Sequence, residues 1–178
     1  MMSKRKLLFK VVIVGDGGVG KSTMVQRLIT GHYYPQRITI GTDLATHDIQ
    51  INDSMHVKLQ IWDFAGEQRF RIFLPNYARG AVVCLLCYDI TRRLSFHSLH
   101  EWFNIVNDNA IKPVFILVGE KLDLADLRRS VEQKDAIQFK EEYNIDNFYE
   151  TSSKSGENNR IIFEVLTRLI LERRGLIE

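Results

Sequence analysis

Cysteine is scarce in this chain. Two occur among 178 residues, Cys84 and Cys87, both inside the apolar run 82–88. Their C-x-x-C spacing raises a redox or metal pair as an outside alternative. Alternation along a strand would point them to opposite faces, so they are read as small core residues. No apolar run reaches the length of a membrane span, and the N-terminus lacks a secretory-signal pattern. Charge of one sign is not in excess: the formal net charge is +2, so no field toward nucleic acid or a membrane surface is implied. A cytoplasmic protein is the default expectation. Lipid signals are missing as well. Met2 stands where N-myristoylation needs glycine, and residues 172–178 hold no cysteine for a prenylation box. There is no internal repeat and no low-complexity segment. The remainder is ordinary for a soluble globular chain: 45% hydrophobic and 26% charged. The length predicts one domain, 1–178, with residues 1–6 as a flexible tail.

Apolar strand-like runs alternate with helical periods. Strands are predicted at 7–14, 44–51, 56–62, 81–88, 114–118 and 147–149, the second and third joined by the turn Asn52-Asp53-Ser54 as a hairpin. Helices are predicted at 23–29, with Met24, Val25, Leu28 and Ile29 on one face; around Phe96, Leu99, Trp102, Phe103 and Val106; at 131–143; and at 158–173, with Ile162, Val165, Leu166 and Leu169 inward. A polar connection covers 31–43 and an irregular stretch 64–79. The order β-α-β-β-β-α-β-α-β-α predicts an α/β fold: a six-stranded, mainly parallel sheet with one antiparallel strand and helices on both faces. Ligands of such sheets sit beyond the carboxyl ends of the strands, and every motif below falls at such an end.

The first is Gly15-Asp16-Gly17-Gly18-Val19-Gly20-Lys21-Ser22, which fits G-x-x-x-x-G-K-[ST] between a strand and a helix. Its glycines let backbone N–H groups turn inward around an anion, and the following helix, from Thr23, points its positive end at the same place. Lys21 supplies charge to phosphates, and the Ser22 hydroxyl can ligate Mg²⁺. The third strand ends in Asp63, followed by Phe64-Ala65-Gly66. A carboxylate there can hold Mg²⁺, and the Gly66 N–H can reach a γ-phosphate. Thr39, in the polar connection, offers another hard oxygen. Lys121-Leu122-Asp123-Leu124 follows the fifth strand; its aspartate can accept hydrogen bonds from guanine N1 and N2, donors that adenine lacks. Thr151-Ser152-Ser153-Lys154 follows the last strand, with a backbone N–H near Ser153 suited to guanine O6.

The ordered set phosphate loop, Thr39-Ile40-Gly41, Trp62-Asp63-Phe64-Ala65-Gly66, Lys121-Leu122-Asp123 and Ser153 with Lys154 resembles the small GTPases of the Ras superfamily. Ile40-Gly41-Thr42-Asp43-Leu44, Arg69-Phe70-Arg71, Tyr77-Ala78-Arg79-Gly80-Ala81 and Tyr88-Asp89-Ile90-Thr91 resemble its Rab branch most. The resemblance spans 10–171. It implies a GTP/GDP switch with bound Mg²⁺ and slow hydrolysis. Ser22, Thr39 and Asp63 would hold the metal, Lys21 the phosphates, and Gly66 would sense the γ-phosphate. Tyr33 would lie against the guanine, and Lys121, Asp123, Leu124, Ser152, Ser153 and Lys154 would form the base pocket. Leu44, Trp62 and Tyr77 match a triad that reads effectors. An exchange factor and a GTPase-activating protein are expected partners, a monomer is expected, and the resemblance allows peripheral contact with membranes.

The chain departs from the family's wording at three places. Glu67 stands where glutamine positions the attacking water, with Gln68 after it; an ionised carboxylate only accepts hydrogen bonds. Hydrolysis is expected to persist in altered form, leaning slow. Glu120 replaces the asparagine before Lys121, which should lower nucleotide affinity modestly. Phe64 replaces a threonine, with an expected change in the mobility of the following loop. Gly17 leaves room for an arginine supplied by a partner. Two other classes compete: an adaptor that holds nucleotide without hydrolysing it, and a P-loop kinase with Arg128-Arg129 as its weak candidate lid.

Overall fold

A computed structural model describes residues 5–35 and 37–178. Six strands form one sheet in the order β2-β3-β1-β4-β5-β6. They are β1 (Arg5–Val14), β2 (Thr42–Asn52), β3 (Met55–Phe64), β4 (Val83–Asp89), β5 (Val114–Glu120) and β6 (Asn147–Thr151). Only the β2–β3 hairpin is antiparallel; the other pairs are parallel. Every residue of β4 and β5 is buried, as expected of parallel strands covered on both faces.

The helices are α1 (Lys21–Thr30), α2 (Leu74–Ala78), α3 (Arg93–His97), α4 (Leu99–Asn109), α5 (Ala125–Arg128), α6 (Gln133–Glu142) and α7 (Asn159–Arg173). Two cores result. On one face Phe9, Val11 and Ile13 pack with Met24 of α1 and Phe163 of α7. On the other Val12 and Val14 pack with Leu74 of α2, Trp102 of α4 and Ala136 of α6. Strand alternation assigns the two cysteines as expected: Cys87 belongs to the first core and Cys84 to the second, both free and buried. Among the described residues no helix is long and apolar enough to cross a membrane.

Several local expectations are corrected. Of the expected tail, residues 1–4 lie outside the described residues, while Arg5 and Lys6 extend β1, paired in register with Met55 and His56. The stretch 64–79 is not wholly irregular: a 3-10 turn, Gln68–Phe73, leads into α2. That helix has only Leu74 and Ala78 inward, too few positions for a period to register. The helix around Trp102 is two pieces, α3 and α4, divided at Ser98. Ahead of α6, which starts at a capping box between Glu132 and Asp135, lies the short α5. Ile29 is 47% exposed. In α7 the buried stripe is rotated, with Phe163 and Ile170 at its centre and Val165 and Leu169 half-buried.

This topology gathers the motifs at one end. The chain leaves β1 with β3 on one side and β4 on the other, so the direction of winding reverses at β1 and a crevice opens past its carboxyl end. Because β2 runs antiparallel, Thr42 pairs with Phe64, and the segment before β2, including Thr39, reaches that end too.

Candidate functional site

Between β1 and α1 the loop crosses the end of β4 at very short range. Gly15 has φ +146°, and a Cβ there would stand 2.1 Å from the Cys87 carbonyl oxygen, so only glycine permits the crossing. Lys21 is 6% exposed. Its Nζ donates to the Gly15 carbonyl at 2.8 Å and the Asp16 carbonyl at 3.0 Å. Burial lowers its pKa, opposed by nearby acids with Asp63 foremost. An ammonium held by backbone carbonyls inside a loop of N–H donors is an anion site with a movable charge.

The three expected metal ligands converge. Ser22 Oγ donates to Asp63 Oδ2 and lies 2.6 Å from Thr39 Oγ1. Asp63 is buried, and among the described residues its Oδ1 has no hydrogen-bond partner. Burial raises the Asp63 carboxyl above its usual range, opposed by the Ser22 bond and Lys21. Among the described residues no three His, Cys, Asp or Glu side chains cluster as a metal site. Two hydroxyls and one carboxylate oxygen with a free lone pair are hard donors, and they fit Mg²⁺ with water and phosphate completing its shell.

Gly66 is required for close approach: a Cβ there would meet the Gly17 nitrogen at 2.1 Å and the Asp16 carbonyl carbon at 2.3 Å. The backbone after β3 thus lies directly against the phosphate loop. Glu67 lines the resulting cleft, about 590 Å³, together with Gly17, Lys21, Ser22, Tyr33 and Thr39. Gln68 is exposed and opens the 3-10 turn, so it does not take the place of Glu67. The Glu67 carboxylate pairs with Arg69 Nε at 2.7 Å. A larger hollow, about 940 Å³, lies between α1, β2 and α7, but its lining contains no residue of the phosphate loop.

At the base end, Lys121 adopts φ +70°. Its Nζ pairs with Asp89 Oδ2 at 2.7 Å and donates to the Gly18 carbonyl at 3.0 Å. Asp123 is exposed and accepts from Ser152 Oγ at 2.6 Å. Ser153 is buried, its hydroxyl beside the Glu120 carboxyl. Leu124 is half-buried in the turn, and Lys154 is exposed, joining no ion pair among the described residues. Glu120 is 1% exposed beneath the phosphate loop, and burial pushes its carboxyl well above the usual range.

Sequence reasoning missed the role of Asp16 as an anchor. Its carboxylate accepts from Arg71 at 3.1 Å, from Trp102 Nε1 at 2.9 Å and from Ser98 Oγ. Arg71 in turn pairs with Glu101 and stacks 4.3 Å over the Trp102 ring. The network ties the phosphate loop to the 3-10 turn and α4. Arg92, also missed, donates to the Gly17 carbonyl at 2.6 Å. These pairings bridge 55 to 86 residues and leave no spacing signal. The expected effector triad does assemble: Leu44 pairs with Trp62 across the hairpin, and the Trp62 ring lies 5.6 Å from Tyr77. Phe64 is 1% exposed, between Tyr77 and Trp102, so it anchors the start of the loop. Of the weak lid pair, Arg129 forks onto Glu150 at 2.6 and 2.9 Å, which leaves the exposed Arg128 at the end of α5 as the single candidate.

A family model described as the Ras family matches residues 10–172. Human Ras-related protein Rab-30 is 41% identical over 176 residues, covering 97% of this chain and 85% of that protein. Ras-related protein RABA5a of Arabidopsis thaliana is 41% identical over 167 residues, covering 92% and 73%. Human Ras-related protein Rab-19 is 36% identical over 171 residues, covering 95% and 78%. The chain belongs to the Ras family: it is a Rab-like GTPase, a switch that binds guanine nucleotides and hydrolyses GTP to GDP.

Proposed function

We propose that this chain is a Mg²⁺-dependent switch of Rab type, acting in membrane traffic, whose hydrolytic step is slowed by Glu67. The observation that carries the metal assignment is Ser22 Oγ in contact with both Thr39 and Asp63, beside the unpartnered Asp63 Oδ1. When bound, Mg²⁺ supplies positive charge to the phosphate oxygens. Lys21 leaves its two carbonyls for the β- and γ-phosphates, the loop N–H groups hold the oxygens, and Gly66 presents its N–H to the γ-phosphate. Thr39 and Gly66 are the two tethers of the switch: their loops are held while the γ-phosphate is present and released after hydrolysis. Tyr33 covers the nucleotide, and Lys121, Asp123, Leu124, Ser152, Ser153 and Lys154 form the base pocket. Leu44, Trp62 and Tyr77 face effectors. Exchange and activating proteins act on the same loops, and room at Gly17, where a Cβ would meet nothing nearer than 3.9 Å, suits an arginine from an activator. Peripheral membrane contact accompanies the traffic role.

The adaptor reading draws on one observation. Glu67 lines the cleft as an acceptor-only carboxylate engaged by Arg69, so it cannot donate to the phosphoryl group as an amide would. Intrinsic turnover is expected at or below about 10⁻⁴–10⁻³ s⁻¹, the range of the amide-bearing Ras site. Single-turnover hydrolysis of Mg²⁺·GTP decides: Glu67→Gln is expected to be faster than the native chain. Native hydrolysis at least as fast as the variant makes Glu67 a working catalytic residue. Turnover confined to the variant makes the native chain a nucleotide-holding adaptor.

A further inference from the structure

Three of the residues that line the nucleotide cleft are cations: Lys21, Arg37 and Lys121. Two of them are committed to the protein itself. Lys21 donates to the Gly15 and Asp16 carbonyls, and Lys121 pairs with Asp89 and donates to the Gly18 carbonyl. Arg37 is exposed, and among the described residues it makes no ion pair, hydrogen bond or ring contact. It shares the cleft with Gly17, Gly66 and Glu67. Its loop is pinned two residues on, where Thr39 Oγ1 lies 2.6 Å from Ser22 Oγ. Two residues of chain span at most about 7 Å, so Arg37 is kept close to the side of the cleft where Ser22 and Asp63 meet.

The chemistry of the cleft has a use for such a group. As the γ-phosphoryl is transferred, charge spreads over its oxygens, and donors already aimed there lower the barrier. Glu67 cannot serve: its carboxylate only accepts, and Arg69 engages it at 2.7 Å. A guanidinium carries five N–H donors in a planar fork and keeps its charge at any working pH. Because Arg69 already neutralises Glu67, Arg37 is not drawn off to that carboxylate and stays available to phosphate.

We propose that Arg37 is a catalytic residue, an arginine supplied by this chain to its own reaction, whose guanidinium donates to the γ-phosphoryl oxygens during GTP hydrolysis. In that step the water oxygen bonds to the γ-phosphorus while the bond from phosphorus to the β–γ bridging oxygen breaks. The electron pair of that bond stays on GDP, and the protons of the water pass to phosphate and solvent. Arg37 gives up no proton. Since Arg37 and Thr39 share one loop, the arginine is in place while Thr39 is tethered, and the contact that signals GTP also arms its hydrolysis. Arg37 thereby offsets part of what Glu67 takes away. The proposal rests on the reading of this cleft as the GTP and Mg²⁺ site.

The test is single-turnover hydrolysis of Mg²⁺·GTP at saturation by Arg37→Ala and Arg37→Lys, each made in the native chain and in Glu67→Gln, beside titrations with Mg²⁺·GDP and a non-hydrolysable GTP analogue. Arg37→Ala is expected to slow the saturated rate about 100-fold or more in each parent that turns over. Arg37→Lys should recover only part of it, since lysine brings the charge without the fork. Both affinities should stay within about threefold of the parent's, because the contact belongs to the transition state. A saturated rate within about threefold of the parent's overturns the proposal. Weaker binding of the analogue at an unchanged saturated rate makes Arg37 a ground-state phosphate contact and overturns it too. GTP bound but hydrolysed by neither parent defeats this inference alone, whereas absence of GTP binding defeats the reading of the cleft as well.

Discussion

At the phosphate end of the cleft, backbone does most of the holding. Lys21 rests on two carbonyls, Gly15 crosses Cys87 at a distance only glycine allows, and Gly66 presses its main chain onto Gly17. At the base end, side chains hold side chains: Lys121 to Asp89, Ser152 to Asp123, Arg129 to Glu150. A backbone cradle tolerates no side chain where chain crosses chain, as at Gly15 and Gly66, because a Cβ there meets main-chain atoms. A side-chain frame can exchange a member and adjust, at the cost of an orphaned atom such as Glu120 Oε1 among the described residues.

The strongest attempt to break this contrast is Gly15→Ala. The new Cβ would fall 2.1 Å from the Cys87 carbonyl oxygen at a φ of +146°. Backbone strain and overpacking together cost about 3 kcal/mol or more. For a domain of this size that lowers Tm by about 6–12 °C, and fluorescent GDP should fail to bind. A melting curve and titration like the native protein's would show that the loop is not held by the backbone in this way.

Asp123→Ala tests the other end with a smaller effect. The fold should stay intact, because Asp123 is exposed and its partner Ser152 also accepts from the Ser155 N–H. In the proposed base pocket guanine's two donors would lose their acceptor, so preference for GTP over ATP should shrink by about 10- to 100-fold. Competition titrations with both nucleotides measure it. Undiminished preference would move base recognition to other atoms of the pocket.

The same contrast explains what was legible in the sequence. The phosphate loop could be read by spacing because consecutive residues build it. Asp63 and Thr39 were readable as hard oxygens, and the fold delivers both to Ser22 because β2 runs antiparallel to β3. Strand order followed from alternating apolar runs, since buried parallel strands tolerate little else. Asp16 was counted only as a loop position; its hold on Arg71 and Trp102 depends on packing between distant elements. The short helix α2 carries just two inward residues, below what a period can reveal. Glu120 stood out as a departure, yet its full burial depends on how the turn at Gly20 closes over the end of β5, which no local pattern encodes.

Acid should also loosen the base end, and this is the smallest effect of the series. Burial raises the Glu150 carboxyl, but the Arg129 fork and Gln133 outweigh it, so its folded pKa lies below the usual 4.5. The carboxylate's contribution is therefore complete above about pH 4.5 and is lost as pH falls through the folded value. Glu150→Gln keeps one acceptor for Arg129 and should cost about 1–2 kcal/mol at neutral pH. The gap in Tm between native and variant should then narrow steadily below about pH 4.5, because the native acid takes up the proton that the amide never needed. A gap unchanged down to about pH 3 would mean that the Arg129 fork is worth as much to a neutral carboxyl as to an ionised one. The side-chain frame at the base end would then be held by shape and packing and not by charge.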